Sequence, residues 1–245
     1  MTSPPLAQET DFGRKYVNFR TGEAVPSITT CMKMIAKPEV EDWKIRMTAD
    51  HANGHWEEMA QWSPADRKAA MTGAHGAYTN EKAALGTLIH GICDSWMKGI
   101  PAETPKAASP YMTQFSRFLM DRRPVFAETE VTVWSRTLRY AGTADAVAEI
   151  DGRVTLIDIK TGRGIYGEHG LQLSALKNAD FIIRDDCTEE PIPEIDQLAV
   201  LHLRPRSCRL VLIRREEECF RAFRAARELF HWRFEVADDV LGEAA

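Results

Sequence analysis

Residues 141–162 read AGTADAVAEIDGRVTLIDIKTG, and the architecture turns on this segment. Small, β-branched and polar side chains alternate on either side of Asp151-Gly152, a dipeptide that favours a two-residue hairpin turn because both positions tolerate positive φ. With that turn, Ile150 faces Arg153. Counting outward by pairs then sets Asp145 opposite Asp158 and Thr143 opposite Lys160. Alternate residues of a strand share a face, so Asp158 and Lys160 point the same way. The register predicts two carboxylates side by side with an ammonium next to them. Directly opposed like charges cost a strand pair about 0.2–1 kcal/mol when exposed, and more when buried. The strand VTLIDIK is apolar enough to be central, so the larger cost applies. Two arrangements offset it: Lys160 neutralises one carboxylate in a structural ion-pair cluster, or a divalent cation bridges both. A hard cation such as Mg²⁺ takes one or two carboxylates and completes its shell with water and substrate phosphate. It stabilises charge on a phosphate in flight and acidifies bound water, and a neighbouring lysine orients that water.

Outward from this hairpin, residues 125–134, 140–150 and 154–160 read as three strands. IDQLAVLHLRP and CRLVLIRR supply one or two more. Before them the pattern is helical. It runs from Cys31 to about Ala60, restarts at Ser63-Pro64, and gives an amphipathic helix over Glu81–Met97 that buries Leu85, Leu88, Ile89, Ile92 and Trp96. A further helix lies near Tyr111–Asp121. Residues 1–30 look irregular or weakly β, with Ser27 or Thr29 of VPSITT as a helix N-cap. QLSALKNA lies on a helix after the hairpin, and Glu217–Val236 closes the chain with Phe220, Phe223 and Phe230 inward. These elements predict one α/β domain over 1–245, with a mixed central β-sheet flanked by helices. Its mainly helical part is 1–123, its sheet core with closing helices 124–236, and its tail 237–245.

Asp145 followed by Asp158-Ile159-Lys160 resembles the D…(D/E)-x-K core of the PD-(D/E)xK nuclease superfamily. The chain is similar in particular to its RecB-type exonuclease branch, including phage and mitochondrial genome maintenance exonucleases. The branch carries a histidine on an upstream helix, here His90 in LGTLIH, and a glutamine on the helix after the lysine strand, here Gln172 in LQLSAL. PSITT and the aromatic last helix fit as well, so the resemblance spans roughly residues 16–235. It implies a restriction-endonuclease-like fold and a DNA exonuclease using Mg²⁺ or Mn²⁺ on single strands or duplex ends, in recombination, repair or processing. It implies His90, Asp145, Asp158 and the Ile159 carbonyl as metal ligands, and Lys160 and Gln172 as catalytic partners. Gly86, one turn before His90, lets the helix approach the sheet, and Asp94 either orients the imidazole or is merely solvated. Glu128 and Glu130 share a strand face. The family often has a glutamate here, which Glu130 fits better, and solubility of an edge strand accounts for either equally well. The glutamine motif of the family usually ends in a tyrosine, where this chain has Leu176. Cys187, Cys208 and Cys219 are spaced too widely for the iron–sulfur cluster that some relatives hold.

The 245 residues carry 36 acidic and 31 basic side chains, a formal charge of −5, which excludes a strongly basic packaging protein. No run is long enough for a membrane span, no secretory signal is visible, and five scattered cysteines argue against a disulfide scaffold. A cytoplasmic protein is expected. Basic residues gather late, at Arg204, Arg206, Arg209, Arg214, Arg215, Arg221, Arg224 and Arg227. They form either a solvated helix face or a patch for DNA phosphates. Tyr166 is placed to stack on a base, whereas Trp134 suits the core. His51 and His55 have helical metal-ligand spacing without a third partner. The alternative function is a catalytically inactive nucleic-acid-binding module.

Overall fold

A computed structural model describes residues 6–242, so the last three positions of the expected tail lie outside the described residues. The chain opens with strands β1 (Ala7–Thr10), β2 (Gly13–Val17) and β3 (Ala24–Pro26), paired as a small antiparallel sheet. The first thirty residues therefore hold more regular structure than their composition suggests. Ser27 caps helix α1 (Ile28–Cys31), its hydroxyl accepting from the Thr30 N–H at 3.0 Å.

The helical stretch expected from Cys31 to Ala60 is broken. A 3₁₀ turn covers Met32–Met34, helix α2 runs over Pro38–Gly54 with its proline in the first turn, and α3 over Trp56–Met59. Proline lacks the N–H that a helix interior needs, which explains the restart at Pro38. The two helices expected after Ser63 are one, α4 (Pro64–Met97). Its glycines weaken a helix by about 1 kcal/mol each but do not end it. Leu88, expected in the core, is 38% exposed, whereas Ile89 and Ile92 are buried.

Helix α5 (Ser109–Arg122) ends where Arg123 turns left-handed ahead of Pro124. There follow β4 (Val125–Ser135), β5 (Tyr140–Ile150), β6 (Arg153–Lys160), α6 (Gly167–Lys177), β7 (Phe181–Ile183), β8 (Glu189–Glu190), β9 (Gln197–Arg204), β10 (Ser207–Leu212) and α7 (Glu216–His231). The strands after α5 form a seven-stranded sheet in the order β10-β9-β6-β5-β4-β7-β8. Every pairing is antiparallel except β6 with β9. The molecule is thus a mixed α/β fold with a large central sheet and flanking helices.

β6 and β9 are almost wholly buried, as a parallel pair covered on both faces must be. Tyr140 and Gly142 of β5 face helices. The Tyr140 hydroxyl donates to the Ala175 carbonyl at 2.8 Å, and its ring meets Phe223 edge-on at 4.9 Å. A Cβ on Gly142 would stand 2.5 Å from Ile28 Cδ1 and 3.1 Å from Leu176 Cδ2, so glycine is what lets α1 and α6 lie against β5. Thr143, one residue out of phase, instead meets the Tyr16 hydroxyl at 2.9 Å and Thr132 at 3.1 Å.

The chain divides into two compact units: residues 35–87, and residues 6–34 with 88–242. The smaller unit is helical, with Trp43 and Tyr78 in ring contact at 5.9 Å and His51 and His55 at 4.4 Å. The larger unit holds both sheets and all the site residues discussed below.

Candidate active site

The β5–β6 ladder has the register expected from the Asp151-Gly152 turn, with Ile150 opposite Arg153 and Ala146 opposite Ile157. It ends there, one pair short of Asp145 and Asp158. Lys160 is not paired with Thr143; β6 continues alongside β9 instead, with Asp158 beside Val200 and Lys160 beside His202. The two strands part where their carboxylates would have met. A side chain then takes over from the ladder, as Asp145 Oδ2 accepts a short hydrogen bond from the Ile159 N–H. N–H and C=O of a strand residue leave the chain on the same side, so the Ile159 carbonyl faces this gap too.

Five expected residues converge on the gap. His90, from α4, places Nδ1 at 3.2 Å from Asp145 Oδ1. Because a carboxylate only accepts, Nδ1 carries the proton and Nε2 is the nitrogen left for a ligand. The Lys160 ammonium lies 2.8 Å from Asp158 Oδ2 and donates to Oδ1 at 2.9 Å. Gln172, from α6, donates to Asp158 Oδ1 at 3.0 Å and accepts from Lys160 at 3.2 Å. Gln172 thus holds both the lysine and the aspartate, and the missing tyrosine at Leu176 does not prevent it. Leu176 packs in the core against the face of Gly142. Asp158 Oδ2 is buried and, despite the nearby ammonium, receives no well-aligned hydrogen bond among the described residues.

Burial is the largest influence on His90, Asp145 and Asp158. It penalises the His90 imidazolium, but the Asp145 carboxylate more than offsets this and the histidine pKa rises. Burial also opposes ionisation of Asp145, where His90 and the Ile159 N–H prevail and hold the carboxyl below its ordinary range. Asp158 goes the other way. Burial and the Asp145 charge outweigh Lys160 and push it up to about 6.

Glu128 and Glu130, undecided in the sequence, separate cleanly. Glu128 makes a two-pronged ion pair with Arg184 at 2.9 and 2.7 Å, which holds its pKa down. Glu130 lies between Thr129, paired with Ala146, and Val131, paired with Ala144, and so stands level with Asp145. Its φ of 52° is left-handed, a conformation that costs a non-glycine residue about 1–2 kcal/mol. Burial, then Asp145 and Asp94, push its pKa up to about 7. Asp94 does not orient His90; it pairs with Lys98 at 2.9 Å. Tyr166 caps α6 and is 59% exposed, free to meet a ligand, while Trp134 is in the core as expected.

Sequence reasoning missed the brace behind the lysine. Buried His202 places Nε2 at 2.9 Å from the Gly162 carbonyl, and Arg204 donates to the Thr161 and Gly162 carbonyls at 2.6 and 2.9 Å. The signal was available in LHLRP, where a histidine and an arginine alternate on a strand that would pair with the lysine strand.

Among the described residues, no three or more His, Cys, Asp or Glu side chains stand together as a finished metal cage. The donors present are nevertheless of the right kind: a buried carboxylate at Asp158 with one oxygen lacking a well-aligned hydrogen bond, a part-buried carboxylate at Asp145, a backbone carbonyl and an imidazole. Such a set suits Mg²⁺, which keeps several waters, and the imidazole makes Mn²⁺ equally acceptable.

No family model matches the chain, and no curated protein matches it. Among solved structures, one described as SSO0001 is similar at 17% identity over 54% of this chain and 66% of its own, with a TM-score of 0.28. The chain spans just under two thirds of that structure's length, and a likeness this slight carries no argument for function.

Proposed function

We propose that the chain is a metal-dependent deoxyribonuclease of the RecB-like kind, an exonuclease hydrolysing phosphodiester bonds at single-stranded or duplex ends in DNA recombination, repair or processing. The observation that carries this reading is the parting of β5 and β6 at Asp145 and Asp158. A hairpin serving only stability would continue its ladder. Here it opens instead and buries two carboxylates beside an ammonium and an imidazole. Preference for ends rests on the family resemblance. Among the described residues, no helix is long and apolar enough to cross a membrane, and a cytoplasmic location is part of the proposal.

Asp145, Asp158, the Ile159 carbonyl and His90 Nε2 would hold Mg²⁺ or Mn²⁺, which supplies charge stabilisation at the phosphate and a more acidic water. Lys160, fixed between Asp158 and Gln172, presents its ammonium to the same gap. It orients the attacking water and offsets negative charge as the phosphorus becomes five-coordinate. The water oxygen bonds to phosphorus, the bond to the leaving sugar oxygen breaks, and that oxygen takes up a proton. Gln172 bonds both Lys160 and Asp158 and so fixes the pair, and the brace from His202 and Arg204 fixes the loop that follows it. Exposed Tyr166, in that loop, offers a stacking surface for a base.

Calorimetric titration with Mn²⁺ tests the assignment without reference to activity. The wild type takes up one ion, and Asp145→Asn loses at least about tenfold in affinity. Equal uptake by both proteins would remove Asp145 from the metal site.

A further inference from the structure

A second charged site lies away from the carboxylates, and it rests on the nuclease reading for its ligand. A cleft of about 530 Å³ is formed where the β4–β5 turn meets α7, lined by Arg139, Arg221, Arg224, Arg227, Glu228 and His231 among others. Its charged lining comprises four arginines against one glutamate, on a chain whose formal charge is −5. It contains none of the proposed catalytic residues. Its chemistry is anion binding, not hydrolysis.

Arg227 is buried, whereas Arg139, Arg221 and Arg224 are exposed. Arg227 is 6% exposed; its Nε donates to the Arg139 carbonyl at 2.9 Å, and its terminal nitrogen reaches Glu235 only at 4.0 Å. Arg139 reaches the same Glu235 at 3.5 Å, and His231 reaches it at 3.2 Å. One carboxylate is thus shared by three basic groups. Arg221 and Arg224 line the cleft one turn apart on α7 and are exposed, and among the described residues neither has a carboxylate within ion-pair distance. A solvated helix face needs no buried arginine behind it. A buried, under-compensated guanidinium with two free ones in front is the arrangement that takes a phosphate through planar forks.

The topology sets the spacing. Arg139 lies just before β5, and Asp145 lies within it, so strand rise separates them by about 20 Å. We infer that the α7 cleft binds the phosphate backbone of the DNA on which the carboxylates of Asp145 and Asp158 act.

The test is fluorescence anisotropy with labelled single-stranded DNA of four and of twenty nucleotides, in EDTA, over a salt series. The proteins are the full chain, Arg221→Ala/Arg224→Ala and Arg221→Lys/Arg224→Lys. The alanine pair should weaken binding of the long strand irrespective of base sequence, and lower its salt slope by about 1 per arginine. The lysine pair should restore most of that slope. The short strand, with fewer phosphates to offer, should lose less of its slope in the alanine pair than the long strand does. An unchanged slope for the long strand in the alanine pair overturns the inference, even if the protein cleaves DNA. Calorimetric binding of inorganic phosphate that the alanine pair abolishes, with long-strand binding untouched, would make the cleft a free-phosphate site and overturn it equally. Absence of cleavage under every metal condition would sink the nuclease reading, and the arginine-dependent binding would still stand or fall by these slopes.

Discussion

The β5–β6 hairpin has two halves that differ in what their side chains do. From Ile150 and Arg153 to Ala146 and Ile157 it is an ordinary ladder, its inward residues packed away from water. Beyond that, the same two strands separate, and the partners of Asp145 become a histidine and a backbone N–H. The first half has hydrophobic burial to hold it, and its two titratable groups, Glu149 and Arg153, are exposed. The second half concentrates charges that burial disfavours and that only one another can offset. On the proposed reading, stability and chemistry occupy adjacent stretches of one hairpin, and substitutions should tell them apart.

The largest effect on folding belongs to the paired half. Ile157→Ala removes a fully buried side chain and should cost about 2–5 kcal/mol in chemical denaturation. Any activity of the folded fraction should be retained. A loss of activity without a loss of stability would erase the distinction between the halves.

A smaller effect comes from Glu130, beside the parted half. Its folded pKa is raised from 4.5 to about 7, so its favourable contribution is complete below pH 4.5 and lost as pH rises through about 7. Thermal stability without added metal should therefore fall across that interval, and Glu130→Gln should flatten the fall. The partial exposure of Glu130 keeps the effect to a few degrees. An identical pH profile in the variant would show that the carboxyl is not desolvated by this site.

Glu128 should matter least. Its pair with Arg184 is about one third exposed, and Glu128→Ala should cost about 0.5–1 kcal/mol with hydrolysis unchanged. A large loss of activity would move the site's boundary outward to include it.

Much of the paired half was legible in the sequence, because Asp151-Gly152 fixes a turn and alternation fixes the register. The convergence of His90, Gln172 and Lys160 on the two aspartates also followed, through family resemblance, from their order along the chain. The parting of the strands did not. It depends on a side-chain carboxylate taking the place of a backbone carbonyl at Ile159, an exchange that leaves no mark on periodicity. The left-handed Glu130 was hidden for a similar reason, since TEVTV alternates smoothly through it. α4 was divided in error, because its mixed small and polar residues between Pro64 and Glu81 carry little helical periodicity and yet contain no further proline. Arg139 could not be joined to α7 from sequence, because the turn that presents it is adjacent only in the folded chain.

The central claim is that the parted half of the hairpin hydrolyses DNA. Its most direct test is loss of label from end-labelled single-stranded DNA with Mg²⁺, Mn²⁺ or EDTA, for the wild type beside Lys160→Ala. Metal-dependent degradation that EDTA abolishes and that falls by at least about 10²-fold in Lys160→Ala is the predicted result. Intact DNA with the wild type under every metal condition, or equal degradation by both proteins, would contradict it.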